Sequence, residues 1–132
     1  MNFEFEWCDD PGPLGLTGWD KSAVGSGQAN TTNMITDPNI CSEGAAVSAD
    51  SYTAPNGTAD WFLPSIGEAM LMYTNLRQAG VGGFATDDDY WSSSEVDAVG
   101  DASEAWGQDF SIGDQDDNDK DDAYYVRPVR SF

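Results

Sequence analysis

The length, composition and charge of the chain already exclude several classes of protein. Its 132 residues, 39% hydrophobic and 12% aromatic, suit one folded domain over 1–132 rather than a disordered segment. The 24 acidic and 5 basic residues give a formal net charge of −19, which opposes contact with phosphate backbones and anionic lipids. No apolar stretch is long enough to span a bilayer, so neither nucleic acid nor membrane insertion is expected.

Alternating apolar and acidic residues predict a strand at the N-terminus, over residues 2–7. Phe3, Phe5 and Trp7 fall on one face, and Glu4 and Glu6 fall on the other. The segment is either an ordinary first strand or an arm that adds to the sheet edge of a neighbouring subunit. In the second case Phe3, Phe5 and Trp7 are assembly residues, and the chain self-associates into an oligomer or filament.

Cys8 and Cys41 are the only two cysteines, and they fit one disulfide. In an exported protein, a bridge closing a loop of about 33 residues stabilises the fold by roughly 3–4 kcal/mol. The alternative is two buried free thiols in a cytosolic protein. Because the chain has no histidine and no C-x-x-C pair, a zinc site is not expected. The first residues do not resemble a signal peptide, so export requires a signal that was removed or lies upstream.

Helices are predicted in the first half of the chain. Ala29 to Ile35 is expected to form a short helix, with an irregular loop as the alternative, and Glu43 to Ala49 forms either a second short helix or a loop. The best-marked helix runs from Ser65 to Ala79, because Ser65 and Glu68 form a capping box and Gly80 supplies a stop. Its apolar residues recur at helical spacing and predict a core-facing stripe: Ile66, Ala69, Met70, Tyr73 and Leu76.

Short strands are predicted in the second half. The candidates are Tyr90 to Ser92, Ala105 to Phe110 and Tyr124 to Arg130, joined by Asp-rich connections. Pro128 lacks an N–H, which places the last strand at a sheet edge or at an irregularity. Helices followed by strands indicate an α+β fold.

Several motifs resemble one known family, the Lcl C-terminal domain family, whose members occur on bacterial collagen-like adhesins and other surface proteins. The resemblance covers residues 60–132 well and 8–41 more loosely. The motifs are Asp60 to Ser65, Glu68, Tyr73 to Leu76, Gly82 to Ala85, Tyr90 to Glu95, Ala105 to Phe110 and Tyr125 to Phe132.

This resemblance implies a C-type-lectin-like fold, with helices in the first half and a twisted, mostly antiparallel sheet in the second. It also implies an extracellular or cell-surface location and, for some members, sulfated-glycan binding and trimers. Many relatives are Asn-rich in the segment corresponding to Gln108 to Ala123, whereas this chain carries seven aspartates there. Since an acidic surface repels an anionic polysaccharide, the sulfated ligand is not expected to carry over.

The acidic segment from Asp114 to Asp122 has two interpretations. Asp114, Asp116 and Asn118 match the opening of an EF-hand loop, but the glycine and the closing glutamate of that loop are missing. An EF-hand is therefore excluded. What remains is either a looser calcium site on these three residues or a solvated acidic loop. Calcium is the one cofactor that the sequence suggests.

The predicted ligand-binding residues lie in the same part of the chain: Asp109, Asp114, Asp116, Asp117, Asp119 and Tyr124. Among the aromatic residues, Trp91 and Trp106 are expected in the core and Tyr124 at the surface. Arg127 and Arg130 are expected to form structural ion pairs with nearby carboxylates.

Catalysis is not expected, because the chain has no histidine and its serine run at 92–94 has no evident base. The function predicted is a non-enzymatic extracellular domain that binds a glycan or surface protein through its acidic C-terminal loops. The alternative is the repeating subunit of an extracellular filament, assembled through the N-terminal strand.

Overall fold

The computed structural model describes residues 4–9, 22–36, 41–96 and 103–131. We number the elements in chain order within these ranges. The α-helices are α1 (Gly27–Ile35), α2 (Ala45–Asp50) and α3 (Ile66–Met72), and a π-helical segment, Tyr73–Arg77, continues α3. The strands are β1 (Glu4–Phe5), β2 (Tyr90–Glu95), β3 (Glu104–Gln108), β4 (Gln115–Asp119) and β5 (Tyr124–Tyr125).

The five strands form one mixed sheet in the order β1-β5-β2-β3-β4. Only the pairing of β2 with β5 is parallel; the other three are antiparallel. All three helices precede β2 in the chain, so the predicted α+β class is confirmed. This strand order leaves β1 and β4 at the two edges of the sheet.

Strand β4 corrects the prediction of a loop between 114 and 122. It pairs with β3 over five positions, from Glu104 opposite Asp119 to Gln108 opposite Gln115. The turn before it is closed by a hydrogen bond from the Gly113 N–H to the Asp109 carbonyl, and Gly113 has a φ of 86°, which favours glycine. Aspartate is a poor strand former, but an edge position lets its side chains stay in water while the backbone pairs.

The last strand is shorter than predicted. Strand β5 covers only Tyr124–Tyr125, and the chain beyond it makes an isolated bridge between Val129 and Phe62. Pro128 lies directly before that bridge. Because proline has no N–H to donate, a continuous ladder through this segment is not available.

Helix α3 begins as predicted and ends earlier. The Ser65 side chain accepts from the Glu68 N–H, and the Glu68 carboxylate accepts from the Ser65 N–H, so the capping box is confirmed. Regular α-helix stops at Met72, and the wider π turn that follows changes the phase of the side chains. Ile66 and Ala69 are buried as expected, but Leu76 is 39% exposed and does not belong to a core stripe.

Two hydrophobic clusters form the core. The first surrounds the disulfide between Cys8 and Cys41, whose Cα atoms are 5.3 Å apart, and includes Trp7 and Trp91. The second contains Tyr90, Phe110 and Tyr125, with Phe84 packed against it. The disulfide thus ties the segment after β1 to the segment after α1, and the two-free-thiols alternative is wrong.

Candidate functional site

The exposed aspartates of the late segment lie along one edge of the sheet. We call this surface the acidic edge and define it as the exposed aspartates of β4 and its flanking turns: Asp114, Asp117, Asp119, Asp121 and Asp122. Along β4 the side chains alternate, so that Asp117 and Asp119 face solvent while Asp116 and Asn118 are partly buried. The acidic edge therefore presents carboxylates from a hydrogen-bonded strand rather than from a free loop.

Three other carboxylates converge beside β4. Oxygens of Asp89, Asp109 and Asp116 lie within 4.8 Å of one another. The Asn118 amide donates to Asp89 at 2.9 Å, and a Cβ on Gly107 would lie 2.5 Å from that amide nitrogen. The absence of a side chain at 107 is thus what allows the carboxyl and amide groups to approach across β3. We call Asp89, Asp109 and Asp116 the carboxylate cluster.

The carboxylate cluster changes the acidity of its most buried member. Asp89 is only 8% exposed. Burial raises the pKa of Asp89 to about 6, repulsion from Asp116 and Asp109 adds to this, and the amide of Asn118 opposes it. Chemically, such a group is able to hold a proton near neutral pH, and its oxygens are ligands of the kind that calcium prefers.

The structure brings together only part of the predicted metal set. Asp116 belongs to the carboxylate cluster, but the Asp114 side chain is exposed, and its backbone carbonyl accepts from the Asp109 N–H and the Gln108 amide. Asn118 meets Asp89 through its amide nitrogen, which cannot ligate a cation. The structure therefore brings Asp116 together with Asp89 and Asp109 rather than with Asp114, and calcium binding itself stays a prediction.

Lys120 was not expected in the core, because it lies within the acidic run. It is completely buried, and its ammonium group is 2.5 Å from the carboxylate of Glu95, which is 3% exposed. The ammonium also lies 4.6 Å from the ring centroid of Trp7. The segment between 114 and 122 therefore contains a buried cation, Lys120, which connects the end of β4 to β2 and to the N-terminal segment.

Tyr124 is less exposed than predicted. It is partly buried, and its ring packs edge-on against Trp91 with 4.9 Å between centroids. Burial, followed by the charge of Asp122, raises the pKa of the Tyr124 hydroxyl. Trp91 is buried as expected, whereas Trp106 is only partly buried. Tyr124 thus supports the core beside the acidic edge instead of standing out from it.

The two C-terminal arginines behave differently. Arg130 forms a bidentate pair with Asp60 at 2.8 and 2.9 Å, which lowers the pKa of Asp60. Arg127 instead donates to the backbone carbonyl of Gly82 at 2.6 Å and lies 4.4 Å from the ring centroid of Phe84. The expected structural ion pair is confirmed for Arg130 and wrong for Arg127.

The predicted assembly residues have contacts within their own chain. Strand β1 pairs with β5, placing Glu4 opposite Tyr125 and Phe5 opposite Tyr124. Trp7 is fully buried and donates its indole N–H to the Ser92 carbonyl. Phe3 lies outside the described residues. Trp7 is therefore a core residue, and β1 is an edge strand of the sheet.

Fold and site together define a class: a disulfide-closed α+β domain with an acidic sheet edge. The sequence profile described as the Lcl C-terminal domain matches residues 14–130, and the chain belongs to the Lcl C-terminal domain family. No curated protein and no solved structure matches the chain.

The family suggests a surface-associated domain, and the disulfide is compatible with an extracellular location. Among the described residues, every helix is too short or too polar to cross a bilayer.

Proposed function

We propose that this domain is a non-enzymatic extracellular binding module with a C-type-lectin-like fold, which recognises a glycan or a protein through its acidic edge. The observation that carries this proposal is the exposure of five aspartates on a paired strand and its turns. The paired strand holds Asp117 and Asp119, and hydrogen-bonded turns hold the other three, so a ligand meets these carboxylates in a defined spacing without first ordering a loop.

The chemistry of the acidic edge selects the ligand. Closely spaced carboxylates attract ammonium and guanidinium groups and accept hydrogen bonds from sugar hydroxyls. A sulfated glycan is disfavoured, because both surfaces are anionic. We expect a basic protein segment or an uncharged or amino-containing glycan.

Two features support binding rather than catalysis. The chain has no histidine to act as a general base near neutral pH. Among the carboxyls of the described residues, the one with a strongly raised pKa is Asp89, which is only 8% exposed, so a substrate would have little access to it.

The proposal is tested by neutralising the acidic edge. In a fourfold variant, Asp117, Asp119, Asp121 and Asp122 are changed to asparagine, and binding to glycan and basic-peptide arrays is compared with the original chain. We expect the bound signal to fall at least tenfold, since each lost charge-assisted contact removes about 1.5 kcal/mol or more.

The matched control removes four exposed acids elsewhere, by changing Glu4, Glu6, Glu43 and Asp50 to their amides. It alters the net charge equally and should leave binding close to that of the original chain. Equal losses in both variants would show that binding depends on net charge and not on the acidic edge. Unchanged binding in the edge variant would refute the proposal.

The filament alternative has one supporting feature, the position of β1 at an edge of the sheet. The charges oppose it, because adding β1 of one copy to β4 of the next would bring Glu4 beside the acidic edge. Deleting residues 1–7 is a poor test, since it removes Trp7 from the core. Electron microscopy of the original chain and of a Glu4→Lys variant is better: filaments that appear or lengthen in the variant favour assembly, and dispersed particles in both favour the binding module.

A further inference from the structure

A second surface of the molecule, independent of the acidic edge, has the opposite character. A groove of about 590 Å³ runs between the π-helical segment, the loop at 54–58 and the C-terminal segment. We call it the arginine groove; its main lining residues are Trp61, Leu76, Phe84, Arg127, Val129 and Arg130.

The charge of the arginine groove contrasts with that of the whole chain. The chain has only five basic residues against 24 acidic ones, and two of the five line this groove. Lys120 is buried against Glu95 and does not reach the surface. The arginine groove is therefore a place where an acidic protein offers cationic groups to solvent.

The guanidinium of Arg127 is positioned by uncharged groups, which do not neutralise its charge. Its guanidinium donates to the Gly82 carbonyl and lies over the ring of Phe84, at 4.4 Å, with the ring of Tyr90 at 5.9 Å. A guanidinium has five N–H donors, and carbonyl and ring contacts leave its charge uncompensated. Arg130 differs, because Asp60 occupies two of its donors.

The walls of the arginine groove are apolar and already ordered. Trp61 donates its indole N–H to the Thr58 carbonyl at 2.8 Å, and Tyr52 packs against it with 5.1 Å between ring centroids. Leu76 is 39% exposed, although it lines a concave surface. An exposed leucine beside fixed aromatic rings is the environment in which an apolar side chain of a ligand is removed from water.

We infer that the arginine groove binds a peptide segment of a partner protein that carries a carboxylate beside a large aliphatic side chain. The carboxylate would meet Arg127, and the aliphatic side chain would lie on Leu76, Trp61 and Val129. A sugar fits less well, because the lining is mainly apolar and the indole N–H of Trp61 is already used.

The experiment uses short probes at 0.15 M NaCl, where a Debye length of about 8 Å screens the distant acidic edge. The tetrapeptide Ac-Gly-Glu-Leu-Gly-amide is titrated into the domain, and the indole N–H resonances are followed by NMR. We expect saturable shifts that include Trp61, and at least fivefold weaker binding when Gln or Lys replaces the probe's Glu, from the lost charge-assisted contact.

Matched variants separate the groove from general effects. Arg127→Gln should weaken binding about tenfold, while Arg77→Gln changes the net charge equally outside the groove lining and should not. Leu76→Ala should weaken binding roughly threefold or more, whereas Leu71→Ala, at a 44% exposed leucine of α3, should not.

Three outcomes would overturn the inference: no saturable shift up to 10 mM probe, on the order expected for a fragment this small; equal effects of Arg127→Gln and Arg77→Gln; or tighter binding of a glucuronate-containing tetrasaccharide than of the peptide. Because the acidic edge is intact in all these variants, a failure here leaves the proposed function untouched. Loss of array binding in the edge variant would likewise leave this groove unaffected.

Discussion

Two buried carboxyl groups at the opposite ends of β2 have opposite electrostatic environments. Glu95, at the end of the strand, is 3% exposed and meets the ammonium of Lys120. Asp89, just before the strand, is 8% exposed and meets Asp109 and Asp116. Both carboxyls have lost most of their water, but only one has gained a cation.

The Glu95 end stabilises the fold, whereas the Asp89 end is able to take up a proton or a cation. At the Glu95 end, opposite charges and the ring of Trp7 compensate each other's burial, so this end holds the N-terminal segment, β2 and the end of β4 together. At the Asp89 end, like charges oppose the fold at neutral pH and leave a group ready to take up a proton or a cation. Breaking each end should therefore change the free energy of unfolding in opposite directions.

The largest effect is expected at the compensated end. Lys120→Met leaves Glu95 buried without the Lys120 ammonium, and we expect the free energy of unfolding to fall by about 3–5 kcal/mol, measured by urea denaturation. The double variant Lys120→Met with Glu95→Gln should recover most of this loss, because no unpaired charge remains. Arg77→Met, at a cation outside the core, is the control and should change stability by less than about 1 kcal/mol. A Lys120→Met protein as stable as the original would show that the pair contributes nothing.

At the uncompensated end, removing a charge should stabilise the fold. Asp89→Asn keeps an oxygen to accept from the Asn118 amide and abolishes the repulsion, so we expect about 1–3 kcal/mol of added stability at pH 7. Asp117→Asn removes the same charge from the acidic edge of the same region and should change stability by less than about 0.5 kcal/mol. Destabilisation by Asp89→Asn would contradict the assignment of like-charge repulsion.

The same end predicts a pH dependence with a definite sign. The pKa of Asp89 is raised from 3.8 to about 6 in the fold, so the folded state binds the proton more tightly than the unfolded state. The corresponding stability is fully present below pH 3.8 and is lost as the pH rises through about 6. Urea midpoints between pH 4 and 7 should fall more steeply for the original chain than for Asp89→Asn. Parallel curves would remove Asp89 as the cause.

Calcium, if it binds, is expected to act at the carboxylate cluster. We expect any rise in melting temperature at millimolar calcium to require Asp89 and Asp116, which lie in the carboxylate cluster, and not Asp114, which lies outside it. Differential scanning fluorimetry of Asp116→Asn and Asp114→Asn compares the two directly. A shift that needs Asp114 would restore the grouping predicted from the sequence, and no shift in any of them would leave the cluster as a proton site.

The smallest expected effect is that of salt on the melting temperature, through the exposed acidic residues outside the two ends of β2. A net charge of −19 favours expansion of the chain, and salt screens it. We expect a modest rise of a few degrees in melting temperature between 10 mM and 1 M NaCl, on the scale of about 1 kcal/mol. A melting temperature independent of ionic strength would show that the exposed acids do not interact over these distances.

The successes of prediction from the sequence were local. The capping box of Ser65 and Glu68 was predictable because both partners lie within one helical turn, and the disulfide because only two cysteines exist. Strands β2 and β3 carry aromatic and apolar residues that mark them without any knowledge of their neighbours. The π-helical segment is a local exception, because no residue pattern marks it in the sequence. The helical spacing therefore predicted a buried Leu76, which the structure shows to be exposed.

Most of the other failures involved long-range partners. Strand β4 reads as a loop, because five acidic or amide residues are poor strand formers; only the five-position ladder from β3 makes them a strand. Lys120 could not be recognised as buried, since its partners Glu95 and Trp7 are remote in sequence. The composition and residue patterns of the chain thus determined an α+β domain with an acidic surface and one cystine. Which carboxyls face solvent, which meets the lysine and which meet each other was decided by the tertiary structure, because the free energy of a charge depends on the groups that replace its water, and those come from distant parts of the chain.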